Sequence, residues 1–171
     1  MAQELDVNLH HFAQVILRDL HSDVKHLSFG GASGGVGAAL YAFMGADLKR
    51  GIDLVLDHIG FERHLANCDL VITAEGKLDL QTLRGKAPYG VAQSARRMGI
   101  PIVNIVGAID KDAETADFSI FDVVVPICTR PMPLSLSMKY APSLITAAAE
   151  RTASLLAMGM RLTGQIMNSE V

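Results

Sequence analysis

Leu5, Leu9, Phe12, Val15, Ile16 and Leu20 recur at three- and four-residue steps, the spacing of one apolar helix face. The first twenty residues therefore predict an amphipathic helix, with Asp6 or Asn8 available to cap it. His21 to Lys25 breaks the pattern, Leu27-Ser28-Phe29 predicts a short strand, and Ala38 to Met44 predicts a helix closed by Gly45. Gly51–Gly60 and Phe61–Asn67 predict two further short helices. Beyond residue 60 the pattern becomes regular. Apolar runs at Leu70–Thr73, Ile102–Val106 and Val123–Ile127 alternate with helical segments at Pro88–Met98, near Lys111–Ala116 and along the carboxy-terminal stretch. Leu144, Ile145, Ala148, Leu155, Leu156, Met158 and Met160 read as core positions of that last helix. Near-continuous apolar runs are the mark of parallel strands buried on both faces. Pro88 suits the first turn of its helix and Gly99 the end of it. Strand–helix alternation of this kind predicts an α/β fold, half of a parallel sheet with helices on both faces, and a domain boundary near residue 60.

With 171 residues, 50% of them hydrophobic, the chain can bury a real core. A mean hydropathy of +0.29 is high for a lone soluble domain, so some apolar surface is expected to meet another chain or a missing domain. Lys+Arg 15 against Asp+Glu 18 excludes a general nucleic-acid binder, which needs a basic excess. From Lys77 to Arg97, however, Lys77, Arg84, Lys86, Arg96 and Arg97 face Asp79 alone, a local field suited to a small anion. Cys68 and Cys128 lie beside or inside apolar runs and have no partner at metal-ligand spacing, so they are expected to be reduced core thiols. The amino terminus carries Glu4, Asp6 and Asn8 where a secretory signal needs a positive region and an apolar run. The longest uncharged stretch, Leu27–Ala46, holds six glycines, so it predicts a loop and a short helix rather than a membrane span. A cytoplasmic location is the expectation.

The stretch Asp69–Pro88, DLVITAEGKLDLQTLRGKAP, concentrates the candidate chemistry. A buried strand running into a polar loop is where open α/β sheets place their ligands. Glu75 and Asp79 lie four apart with Lys77 between them, beyond the expected strand end. Such carboxylates can hold Mg²⁺ or act as general base, and Lys77, Arg84 and Lys86 can neutralise phosphoryl charge. Thr73, Gln81 and Thr82 can hydrogen-bond a small polyol or phosphate. A solvated loop of mutually paired charges explains the same residues about as well. If the strands are parallel, Asp110 after the second and Arg130 after the third share that rim. The glycine-rich run Gly30–Gly37 is neither a P-loop, lacking the Lys-Ser/Thr pair, nor a dinucleotide fingerprint. Gly34 and Gly35 could hold an anion through backbone amides, or could simply permit close packing.

The blocks GGASGGVGAAL, GIDLVLD, DLVITAEGKLDLQTLRGKAPYGVA, PIVNIVGA and RPMPL, spread over nearly the whole chain, resemble the carboxy-terminal part of the bacterial glycerate kinases of type 1. The resemblance implies a Rossmann-like α/β domain with a second domain inserted into it. Residues 1–60 would be the carboxy-terminal part of the inserted α/β domain, and 61–171 the carboxy-terminal half of the Rossmann-like one. It further implies transfer of the ATP γ-phosphoryl group to D-glycerate with Mg²⁺. Glu75, Asp79 and Lys77 would be catalytic, with Glu75 and Asp79 as Mg²⁺ ligands. Thr73, Gln81, Thr82, Arg84, Lys86, Gly34, Gly35, Asp110 and Arg130 would bind substrate or phosphate. Ala74 and Lys77 stand where the family usually has Gly and Arg, and Ala32-Ser33 replaces a commoner Ala-Ala. The chain is under half the length of a typical member, without the Asp-Ser-Phe-Lys-Gly and Asp-Gly-Gly-Glu-Gly blocks. It is therefore expected to be inactive or incomplete alone and to need an oligomer or an amino-terminal half. The alternative is a non-catalytic remnant that acts only through association with another chain. A nicotinamide-dependent oxidoreductase is a third reading, resting on α/β likeness only.

Overall fold

The apolar runs of the second half do become strands in the computed structural model, which describes residues 2–113 and 116–169. β1 (Val71–Glu75), β2 (Ile102–Val106) and β3 (Val123–Pro126) form a parallel three-stranded sheet in sequential order. Thr73 pairs with Asn104 and Asn104 with Val124, so these three share one face with Glu75 and Val106. The chain divides into two compact units, Met1–Val55 and Leu56–Val171.

Within the second unit each sheet face has its own core. Val71, Ile102 and Val106 pack with Leu65, Ala92, Ala95 and Phe121, which brings α5 (Ala87–Arg97) onto one face. Val103 and Ile105 pack with Ile127 and Ala148, which brings α7 (Ala141–Ser169) onto the other. Helices on both faces are thus the observed architecture. Pro88 sits in the first turn of α5, where its missing N–H costs nothing, and Gly99 follows the helix at φ 70.

Only β2, between two neighbours, is buried at every position; β1 alternates and β3 is half open. Uniformly buried strands were expected, but both flanking strands are edges among the described residues, and Ile72 is 55% exposed. The carboxy-terminal segment also differs. It is two helices, α6 (Leu134–Lys139) and α7, and α7 packs on the sheet through Leu144 and Ala148 in its first turns. Ala148 and Thr152 are buried there, whereas Ile145, Leu155, Leu156, Met158 and Met160 are exposed rather than core. The helical turn expected near Lys111–Ala116 is a 3-10 turn at Lys111–Ala113; Glu114 and Thr115 lie outside the described residues. Cys68 is exposed rather than a core thiol, with Sγ donating to the His64 carbonyl. Two short helices, α3 (Gly51–His58) and α4 (Phe61–Leu65), precede β1.

The first unit is helical in its described residues. α1 (Ala2–Leu20) starts before Asp6 and Asn8, so both lie inside it and neither caps it. Ile16 of α1 packs with Val24 and with Ala38 of α2 (Ala32–Met44). No strand forms at Leu27–Phe29. Successive bonds from Leu27, Gly30 and Ala32 amides to the Val24, Leu27 and Phe29 carbonyls fold it into turns, which take up the groups a ladder would need. Among the described residues, no helix is long and apolar enough to cross a membrane.

The end of the sheet is held by a close backbone approach. The Gly107 amide donates to the Glu75 carbonyl at 3.0 Å, and the next pairing, Leu78 with Ile109, continues the ladder past both strands. A Cβ at Gly107 would lie 2.3 Å from the Gly76 carbonyl oxygen. Gly107→Ala must push the two strand ends apart, and urea denaturation is expected to read a loss of about 1–3 kcal/mol. An unchanged midpoint would show that the ends separate freely.

Candidate functional site

Glu75 is the last residue of β1 rather than part of the loop beyond it, as the sequence suggested. Strand geometry turns its side chain to the α5 face, where two donors meet it. The Thr82 hydroxyl donates to Oε2 at 2.8 Å and the Asn104 amide Nδ2 donates to Oε1 at 3.0 Å. Thr82 and Asn104 are both 0% exposed. Thr82 was expected to contact a ligand. Here it is completely buried, with its hydroxyl on the Glu75 carboxylate.

Asp79 shapes the loop that carries Thr82. Its Oδ1 accepts from the Gln81 and Thr82 amides at 2.9 and 3.2 Å, while its own amide donates to the Thr82 hydroxyl oxygen at 3.3 Å. This reciprocal bonding starts the 3-10 turn Thr82–Arg84, as Asp does at turns and helix starts. Gly85, at φ 102, ends the turn and delivers Lys86 to the start of α5. Lys86 Nζ then returns to Asp79 Oδ1 at 2.9 Å. A cation is disfavoured at a helix amino terminus, and Asp79 offsets it there.

Glu75, Thr82, Asp79 and Lys86 therefore form one connected set at the carboxyl end of the sheet. Lys77 and Asp110 make a second link, Nζ to Oδ2 at 2.5 Å, between the loops after β1 and β2. Thr73, half-buried, lies on the same face of β1 as Glu75. Gln81 joins the set through its backbone, its side chain being exposed. Arg84 and Arg130 are exposed and carry none of the hydrogen bonds or ion pairs of this group. Gly34 and Gly35 belong to the first unit. With Ser33 they make three consecutive left-handed residues, and a Cβ on Gly35 would lie 2.8 Å from Leu9 Cδ2. Packing accounts for Gly35, whereas a Cβ on Gly34 would meet nothing within 4 Å. Across the sheet, a cavity of about 370 Å³ opens between the strand ends and α6–α7, lined by Ala74, Gly76, Gly107, Ile127, Ser137 and Ile145 among others. It is mostly apolar.

Asn104 is the residue that sequence reasoning missed. An amide inside the apolar run IVNIV was a visible signal, because burying an amide costs about 1–3 kcal/mol when a group goes unpaired. Its Oδ1 is indeed buried without a partner. The orientation follows from chemistry: only the NH₂ group can face a carboxylate.

Ion pairing shifts the titration of both aspartates. Lys86's hydrogen bond holds the Asp79 carboxyl below its ordinary value against the opposing effect of burial, and the amides of Thr82 and Gln81 add to this. Lys77 does the same for Asp110, and Asp110 raises the Lys77 ammonium. A depressed carboxylate contributes stability that is complete above its unfolded value, about 3.9, and is lost as pH falls through the lower folded value. Lys86→Ala is therefore expected to destabilise at neutral pH, with the difference vanishing in acid. Carboxyl ¹³C titration should show Asp79 moving up toward the ordinary value; no movement would mean that Lys86 does not hold it.

Comparison with known proteins bears on this geometry. Residues 1–157 match the model of the glycerate kinase family. Glycerate 2-kinase of Escherichia coli K12 is 42% identical over 164 residues, covering 96% of this chain and 43% of the relative. Glycerate kinase of Bacillus cereus is 39% identical over 155 residues, covering 91% and 41%. A crystal structure of a protein assigned as glycerate kinase 2 from Salmonella typhimurium LT2 superposes with TM-score 0.64 at 43% identity, covering 93% of this chain and 41% of that one. The chain spans about two-fifths of the length of these relatives. With nearly all of its residues matched, the chain belongs to the glycerate kinase family.

Proposed function

We propose that this chain is the carboxy-terminal portion of a cytoplasmic glycerate kinase and supplies part of the site that transfers the ATP γ-phosphoryl group to D-glycerate. The observation that carries this reading is the connected set of Glu75, Thr82, Asp79 and Lys86 at the carboxyl end of a parallel sheet, in a chain of this family. Residues 1–60 are read as part of an inserted domain and 61–171 as half of the Rossmann-like domain. Phosphoryl transfer asks a protein mainly to position its reactants and to stabilise charge spreading over the phosphoryl oxygens. Glu75, held at both oxygens, is suited to accept the proton of an attacking hydroxyl. Lys86, joined to the set through Asp79, and Lys77 are read as the phosphate or carboxylate partners, with Arg84 and Arg130 as exposed cations able to join them. Asp110 keeps Lys77 in place.

The donor set also fits Mg²⁺. Magnesium is usually held by one or two carboxylates together with substrate phosphates and water. The three donors to Asp79 converge on Oδ1 and leave Oδ2 available, while each Glu75 oxygen accepts one hydrogen bond and has capacity for another. Among the described residues no group of three or more metal-ligating side chains gathers, so Glu75 and Asp79 are read as a pair of ligands. When bound with ATP, the ion would neutralise phosphate charge, with Glu75 and Asp79 as its protein ligands.

Isothermal titration of the chain with D-glycerate and with Mg·ATP tests this function, alone and with the amino-terminal part of a relative added. Binding is expected, and Lys86→Met should weaken it by roughly 10–100-fold, the value of a charge-assisted hydrogen bond. No binding in either case contradicts the reading. The exposed Leu155, Leu156, Met158 and Met160 on α7 favour a second reading, in which the chain works through association alone. Light scattering that finds a stable oligomer, together with no ligand binding and no turnover, would support it.

A further inference from the structure

We propose that Asn104 is the positioning residue of Glu75, retained in the sheet core to fix the plane of that carboxylate and not to stabilise the fold. This rests on the role given to Glu75 above. Asn104 is the only polar residue in a strand whose five positions are all buried. A fully apolar strand would satisfy the packing on both faces, so packing does not explain an amide there. Nor does hydrogen bonding within the core, since Oδ1 has no partner. What the amide does have is one bond, Nδ2 to Glu75 Oε1 at 3.0 Å.

That bond completes a clamp. The terminal torsion of a glutamate is broad and loosely two-fold, so a single donor leaves the carboxylate free to turn. Thr82 grips Oε2 from the loop, and Asn104 grips Oε1 from the neighbouring strand. The two donors come from different elements, both fully buried, and each is fixed by its surroundings. Together they leave the remaining lone pairs of Glu75 pointing in set directions, which is how supporting residues place a reacting group. An unpaired buried amide oxygen is the cost of that bond.

Asn104→Val removes the donor and the orphan acceptor at similar volume, and Asn104→Ser, too short to reach Glu75, guards against overpacking by valine. Three readouts on the full chain separate positioning from structure: the melting temperature, the side-chain order of Glu75 by ¹³C-methylene relaxation without ligand, and affinity for Mg·ATP and D-glycerate. The expected result is that Glu75 loosens in both variants. Affinity should fall about tenfold or more, as for loss of one charge-assisted bond, while Asn104→Val melts no lower than the parent. If the parent binds neither ligand yet Glu75 loosens, the positioning role stands and the kinase reading falls. If Glu75 order is the same in the parent and both variants, Asn104 does not position it and the proposal is overturned.

Discussion

One threonine joins the two carboxylates of this site. The Thr82 hydroxyl donates to Glu75 at the end of β1, and its amide donates to Asp79 at the head of the loop. Because Thr82 is completely buried, no water competes for either bond. Everything else at the site follows from where this residue sits. Asp79 can turn the chain into the 3-10 segment only because Thr82 arrives three residues later. Lys86 reaches back to Asp79 only because Gly85 ends that segment in a left-handed conformation. Two charge pairs of the loop, Asp79 with Lys86 and Lys77 with Asp110, are thus tied into the same arrangement as the buried threonine.

Much of this was legible in the sequence because it is written in local patterns. Apolar runs, the Pro88–Gly99 punctuation and the strand–helix alternation specify a parallel sheet with a helix on each face, and that is the fold found. What was not legible depends on neighbours distant in sequence. Leu27–Phe29 has strand composition but no strand beside it, so its amides close turns instead. β1 and β3 have the composition of buried strands, but only a strand with partners on both sides becomes one. Glu75 and Asp79 could be singled out as chemistry-bearing. That Thr82 and Asn104 hold Glu75 could not, because one comes from a turn and the other from the next strand, 29 residues on. Lone polar residues in apolar runs are the signal that would have found Asn104.

The uncovered apolar surface fits the chain's place in its family. Ile72 and Val123, and Leu155, Leu156, Met158 and Met160 of α7, present apolar side chains where a free-standing domain would present polar ones. Relatives that match almost all of this chain are more than twice as long, so they carry further polypeptide that this sequence does not. The high mean hydropathy signalled open apolar surface, without saying which residues would form it. The site lies at a strand end, where chain segments from elsewhere in an α/β fold also converge.

A double-mutant cycle of Thr82→Val and Glu75→Gln, read by urea denaturation, tests most directly whether the buried hydroxyl and the carboxylate act as one unit. Coupling of about 0.5–3 kcal/mol between the two substitutions is the predicted result. Additivity to within about 0.5 kcal/mol would contradict it, leaving Glu75 and Thr82 as neighbours that do not hold one another.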